Sequence, residues 1–364
     1  MKKVFLYAYD KQNLGDDLFV HTITRRYSDV QFYMWTDRKN RETFASLPNL
    51  RVIDKDSQFV RLLQWLRPSL IARYKGFIEG RCDAVVYIGG SIFMEYPNWE
   101  QICNWWEWTA KNRPFYVLGA NFGPWHTEGY RDKMAKIFEK MQDVCFRDKY
   151  SLALFPEVDT VRCAPDILFS YPMPKVPMRE KQIFVSAIDC AGRDEAHDLS
   201  RFDKQYVSNM SSLLRGYLDG GYRLVLASFC KDEGDENGIA KILSAMGCEN
   251  DSRVRVLAYD GTNADALTTS IAESEFVIGT RFHSVILAMA AGKPVFPVVY
   301  SDKTTRVLED MDFRSEWGDL RTGSSFAKSS PPPPLVGVRF PAVETLSTAA
   351  QLHFNKLDSL LSGR

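Results

Sequence analysis

Residues 276–299 read FVIGTRFHSVILAMAAGKPVFPVV. Two short β-branched and aromatic runs, Phe276–Ile278 and Val295–Val299, enclose an apolar segment that stops at Gly292, where a glycine takes the left-handed C-terminal position at little cost. Strand, helix and strand in so short a span predict a crossover between parallel strands. Arg281 and His283 stand where the first strand meets the helix, and Lys303 follows the second strand. A helix N-terminus offers free N–H groups and the positive end of the dipole. A guanidinium, an imidazole and a lysine around it therefore predict an anion site. Thr280 is expected to cap the helix. Taken singly, Arg281 and Lys303 have another reading, as partners of Asp302 or Glu309, and His283 has one as an ordinary helix-start residue.

The same alternation runs along the whole chain. Strands are expected at Val4–Tyr9, Val30–Trp35, Arg51–Ile53, Ala84–Ile88, Phe115–Leu118 and Val144–Phe146, then at Ile183–Ala187, Arg223–Ala227, Arg253–Leu257, Phe276–Ile278 and Val295–Val299. Helices are expected at 15–27, 57–79, 98–111, 130–141, 203–219, 235–246 and 263–272. Between the halves lies SYPMPKVPMRE, residues 170–180, whose prolines favour an extended connector. The expected fold class is α/β, with two doubly wound Rossmann-like domains facing each other across a cleft. The expected bounds are 1–172, a linker at 173–182, 183–330, and a final segment 331–364 with the run Pro331–Pro334 and a docked helix around 344–361. In such folds ligands bind beyond the carboxyl ends of strands, and the notable residues follow strands.

The 364 residues suit two domains, and 45% apolar with 25% charged residues suits a globular enzyme. Lys plus Arg and Asp plus Glu are 46 each, so net charge gives no case for nucleic acid. The seven cysteines include no C-x-x-C pair and fit reduced thiols in a cytoplasmic protein. MKKVFLYAYD is expected as a first strand rather than a leader, and no run approaches a membrane span. The five histidines are scattered, with no ligand spacing, so neither a metal nor a cofactor is expected. The acidic run Asp232–Glu236 is expected to be a solvated loop.

Further landmarks occur in order: Asn13-Leu14-Gly15-Asp16, Gly89-Gly90, Gly123-Pro124, Arg147-Asp148 with Ser151, Ala164-Pro165-Asp166, and the Arg-x-His, Gly-x-Pro and lysine of the C-terminal stretch. This set resembles the polysaccharide pyruvyl transferase family over about residues 4–310. One departure is Ser91 after Gly89-Gly90, where a third glycine is common. The resemblance implies a fold similar to the two-domain GT-B glycosyltransferases and transfer of the pyruvyl group of phosphoenolpyruvate onto two sugar hydroxyls as a cyclic ketal. In family terms His283 is catalytic, and Arg147, Arg281 and Lys303 bind phosphoenolpyruvate. The chemistry agrees, since that donor carries a carboxylate and a phosphate, and a histidine suits protonation of its methylene carbon near neutral pH. The competing reading keeps the fold but makes the donor a nucleotide sugar.

For the acceptor, Asp16 and Asp17 are candidates to bind or deprotonate a hydroxyl, or they serve as helix-start acids. Asn13 would bond a hydroxyl or shape the turn. Gly89 and Gly90 would admit a ligand or only set the backbone. Arg147 has a competing partner in Asp148. The tryptophans of YPNWEQICNWWEWTA are expected to pack in the core rather than stack on sugars. Residues 59–77 combine a helically spaced apolar face with Arg61, Arg67, Arg73 and Lys75. Core packing is expected there, with contact to the inner face of a membrane, where a lipid-linked acceptor would sit, as the alternative.

Overall fold

The structure is a computed structural model that describes residues 1–67, 69–192, 199–322 and 342–361. The proline run 331–334 lies outside the described residues. In chain order the first sheet and its helices are β1 (Lys3–Tyr7), α1 (Leu14–Arg26), β2 (Gln31–Thr36), α2 (Asn40–Thr43), β3 (Leu50–Asp54), α3 (Gln58–Leu66), α4 (Ser69–Glu79), β4 (Ala84–Ile88), α5 (Trp99–Asn112), β5 (Phe115–Ala120), α6 (Glu128–Phe138), β6 (Asp143–Phe146), α7 (Lys149–Ala153) and β7 (Val161–Cys163). The second set is β8 (Gln182–Ser186), α8 (Asp203–Asp219), β9 (Arg223–Ser228), α9 (Asp235–Met246), β10 (Val254–Ala258), α10 (Ala264–Glu273), β11 (Phe276–Gly279), α11 (Phe282–Ala290), β12 (Val295–Val299), α12 (Asp302–Asp310) and β13 (Gly318–Asp319). Helices α13 (Val343–Ala350) and α14 (Asn355–Leu361) close the chain.

The first sheet has the order β3-β2-β1-β4-β5-β6-β7 and the second β10-β9-β8-β11-β12-β13. All pairings are parallel, in registers such as Phe5↔Val85 and Ile278↔Val185. Each sheet is thus doubly wound, and its winding reverses between β1 and β4 or between β8 and β11. That reversal opens the crevice where such sheets hold ligands. Strands buried on both faces explain the near-continuous apolar runs that the sequence shows.

By its own contacts the chain forms two compact units, Met1–Asp10 with Asp16–Ile167 and Ala349–Arg364, and Lys11–Gly15 with Leu168–Thr348. The first core gathers around Phe93, Phe115, Phe122, Phe138 and Trp106, and the second around Tyr206, Leu214, Leu226 and Ile278. The segment after residue 331, expected to carry a docked helix around 344–361, gives its last residues to the first unit, where Phe354, Leu357 and Leu361 are buried. Arg162 donates to the Leu352 and His353 carbonyls there, and Arg26 pairs with Asp358.

Several local expectations need correction. The helix expected over 57–79 is two, separated around a proline at sequence position 68, which lacks the N–H a continuous helix needs. Strands β7 and β13, of three and two residues, are too short to leave a period in the sequence. Lys303, expected after the strand Val295–Val299, does follow it and lies in the first turn of α12. Trp106 packs between Tyr87 and Phe115 with ring centroids 5.2 and 5.6 Å away, and Trp105 meets Tyr7 edge-on, so α5 turns these indoles inward. Trp108 stays exposed.

Candidate functional site

At the crevice of the second sheet, the turn after β11 is held by a set of short polar contacts. Ser186 ends β8, and its Oγ accepts from the Thr280 and Arg281 N–H groups at 3.1 Å each. The Ser186 and Ser284 hydroxyls lie 2.6 Å apart, and Ser284 Oγ donates to the Arg281 carbonyl at 2.7 Å. Thr280, expected as the cap, instead puts its hydroxyl 3.0 Å from that of Tyr206, and Arg281 is the N-cap residue of α11. Gly279 leaves no room for a side chain against Ser284 and Val285.

Arg281 is buried, and both oxygens of Asp235 accept from its Nε at 3.0 and 2.9 Å. Further bonds run from Nη2 to Asp235 and from Nη1 to Glu233. Burial alone would lower the guanidinium pKa, but the Asp235 and Glu233 charges outweigh it and hold it well above the ordinary value. Asp235 also accepts from the Phe229 and Cys230 N–H groups at 2.9 and 3.0 Å. The acidic run expected to be solvated therefore contains a wholly buried carboxylate that ties the β9–α9 loop to the β11–α11 turn. Asp302, the partner anticipated for Arg281, bonds Arg321. Arg281 thus stands in ion pairs with Asp235 and Glu233.

His283 is half-buried on the first turn of α11. Its ring lies against Gly15: a Cβ at Gly15 would fall inside contact with His283 Nδ1, Cγ and Cβ. Asn13 folds that approach by accepting the Gly15 N–H at 3.2 Å, which favours its turn-shaping reading, and Leu14 N–H bonds the Phe229 carbonyl at 3.0 Å. Phe282 is buried, with Lys303 Nζ 5.9 Å from its ring centroid. Among the described residues Lys303 has no salt-bridge partner. Arg281, His283 and Lys303 are therefore brought together within one unit, where Arg281 is paired with Asp235 and Glu233.

The first unit gathers the other landmarks. Arg147 is buried, bonding Asp166 Oδ2 at 3.0 Å and Asn121 Oδ1 at 2.8 Å, while its guanidinium occupies the space that a Cβ on Gly90 would need. The competing partner Asp148 is occupied elsewhere, capping α7 through Ser151 N at 2.7 Å. Asn121 N–H bonds the Gly90 carbonyl at 2.9 Å, so the Gly89-Gly90 turn, Asn121, Arg147 and Asp166 form one cluster. Gly89 itself has φ of 157°, in the positive range that residues with a side chain rarely adopt. Asp16 and Asp17 begin α1 after β1; Asp17 is buried and Asp16 half-exposed. Burial, and then the Asp16 charge, push the Tyr87 hydroxyl up to about 12.

Sequence reasoning missed Ser186, Tyr206, Asn121 and Asp235. Asp235 carried a usable signal, since it is a first-turn acid of the helix that follows a strand, as Asp16 is in α1. Among the described residues no group of three His, Cys, Asp or Glu side chains could hold a metal. No disulfide joins any of the seven cysteines, and no described helix is long and apolar enough to cross a membrane.

Solved structures of similar fold cover essentially the whole chain. They include HepE from Anabaena in complex with UDP and glucose (12% identity, TM-score 0.56, covering 100% of this chain and 98% of that one) and the UDP-GlcNAc 2-epimerase of Neisseria meningitidis bound to UDP-GlcNAc (10%, 0.62, 99% and 100%). TcCGT1 in complex with UDP is a third (12%, 0.51, 99% and 94%). These likenesses to GT-B glycosyltransferases and epimerases establish the fold. In sequence, the chain is 24% identical over 271 residues to the amylovoran biosynthesis protein AmsJ of Erwinia amylovora, a match that spans 68% of this chain and 64% of that protein. The family profile described as Polysaccharide pyruvyl transferase matches residues 13–302, from the Asn13 turn through β12 to the start of α12. The chain belongs to the polysaccharide pyruvyl transferase family.

Proposed function

We propose that this protein transfers the pyruvyl group of phosphoenolpyruvate to two hydroxyls of a sugar in surface-polysaccharide assembly. The observation that carries the reading is His283 at the helix start of a family-matched chain, with Gly15 packed on its ring and Lys303 at the neighbouring strand end. His283 protonates the methylene carbon of the donor, and C2 becomes electrophilic. One sugar hydroxyl attacks C2 and returns its proton to His283, the C–O bond to phosphate breaks, and inorganic phosphate leaves, taking up the proton that the second hydroxyl releases. The second hydroxyl then closes the ketal. Lys303 and the positive end of the α11 dipole receive the donor's negative charge.

The two arginines take a different part from the one the resemblance implies. Each is tied to buried carboxylates, so we assign them to holding turns: Arg281 that of His283, Arg147 that of Gly90. Of the two candidate acids, half-exposed Asp16 is the better acceptor ligand, because Asp17 is buried.

Mass spectrometry of candidate acceptors incubated with phosphoenolpyruvate tests the reading, the expected product carrying one pyruvyl unit added with loss of water. Phosphate release should require the acceptor and should vanish in His283→Ala. A nucleotide-sugar donor is the second reading, favoured by the likeness to folds solved with UDP. Calorimetry with phosphoenolpyruvate and sugar nucleotides in parallel separates the two, and binding of the nucleotides alone would overturn the first.

A further inference from the structure

Helices α3 and α4 carry apolar side chains that the first unit's core does not take. In α3 Val60 is the buried position, whereas Phe59 is 53%, Leu62 50%, Trp65 81% and Leu66 52% exposed. On α4 Phe77 adds a ring that is 58% exposed. Positions 59, 62 and 66 repeat at helical spacing and form one ridge. Scattered exposed apolar residues are ordinary, but a contiguous set that includes an exposed tryptophan marks a contact surface.

The charges beside the ridge are of one sign. From Ser57 to Ile78 the chain has no acidic residue, and Arg61, Arg67 and Arg73 are exposed. Arg81 lies over the Phe77 ring at 3.6 Å from its centroid. Lys75, expected on the same basic face, is instead turned inward, 4.4 Å from the Tyr7 ring centroid, and burial pushes it down to about 8. The surface is therefore an apolar ridge flanked by arginines, with a tryptophan as its most exposed member.

We propose that α3 and α4 dock this protein on the surface of a bilayer containing anionic lipids, the ridge entering the headgroup boundary and the arginines meeting lipid phosphates. A protein partner would need acids matched to each arginine, while an anionic bilayer is complementary to any arrangement of them. The proposal stands apart from the reaction chemistry, because none of these residues belongs to the site around His283.

The test is co-sedimentation of the full chain with vesicles of phosphatidylcholine alone or of equal parts phosphatidylcholine and phosphatidylglycerol. Binding is expected to the mixed vesicles only, weakening as salt is raised. Arg67→Glu should lower the partition coefficient about fivefold or more, and Leu62→Ser with Trp65→Ser about tenfold or more. Circular dichroism and turnover of a soluble acceptor should stay at wild-type values in both. Failure to pellet with the mixed vesicles would overturn the proposal, as would equal binding by the double variant. So would light scattering that shows a dimer dissolved by Leu62→Ser with Trp65→Ser while vesicles capture neither form.

Discussion

Gly15 and His283, more than half the chain apart in sequence, share a space too small for one added carbon. A methyl group at residue 15 must push the imidazole or the turn that presents it, and in the role proposed for His283 a displacement by about 1 Å can cost about a hundredfold in rate. Gly15→Ala is therefore expected to lower kcat by that order with little change in circular dichroism; wild-type turnover would refute the placement. Asp235→Ala should behave differently, because it leaves a buried guanidinium with Glu233 but without its buried carboxylate partner. A loss of about 3–5 kcal/mol in urea unfolding is expected, together with loss of activity. The importance of Arg281 was legible in the sequence, but its partners were not, since no local pattern shows which acid a fold will bury. A third prediction concerns pH. Burial, against the pull of the bond to Pro165, pushes His353 down from 6.5 to about 3. The unfolded chain then binds the extra proton between those values, so this contribution is whole above about pH 6.5 and fades at up to about 1.4 kcal/mol per pH unit as pH falls toward 3. His353→Gln should flatten the acid limb of stability relative to wild type in urea titrations from about pH 7 to about pH 5.

Among the elements, α5 and α3 show how far periodicity can be trusted. Both have apolar residues at helical spacing, and both were expected to face a core. For α5 the expectation held, with Trp106 between Tyr87 and Phe115. Trp106→Ala should cost about 3–5 kcal/mol in chemical unfolding, whereas Trp108→Ala, on the exposed side, should be nearly neutral. For α3 it failed, because the sequence shows which face of a helix is apolar but not what covers it. The strands were read with few errors since buried parallel strands are continuous β-branched runs. The missed ones, β7 and β13, are too short to show such a run.

The whole molecule repeats one winding twice, and that much follows from strand, helix and strand recurring along the sequence. The return of residues 349–361 to the first unit was invisible, because their apolar spacing does not say which sheet they join. Through His353 they hold the Pro165 carbonyl at 2.8 Å, beside the acid that binds Arg147. Removing the chain from Ala349 on should loosen the first unit, with hydrogen exchange rising in β6 and β7 and remaining near wild type in β8 and β11. Uniform loosening of both units would argue against that assignment. This return also has a consequence for synthesis. A ribosome finishes residues 168–348 before it reaches Ala349, so the second unit has its complete set of residues first, although the first unit began earlier. The nascent chain must carry an unsealed N-terminal sheet until the last helix emerges, and in that interval a chaperone would find it.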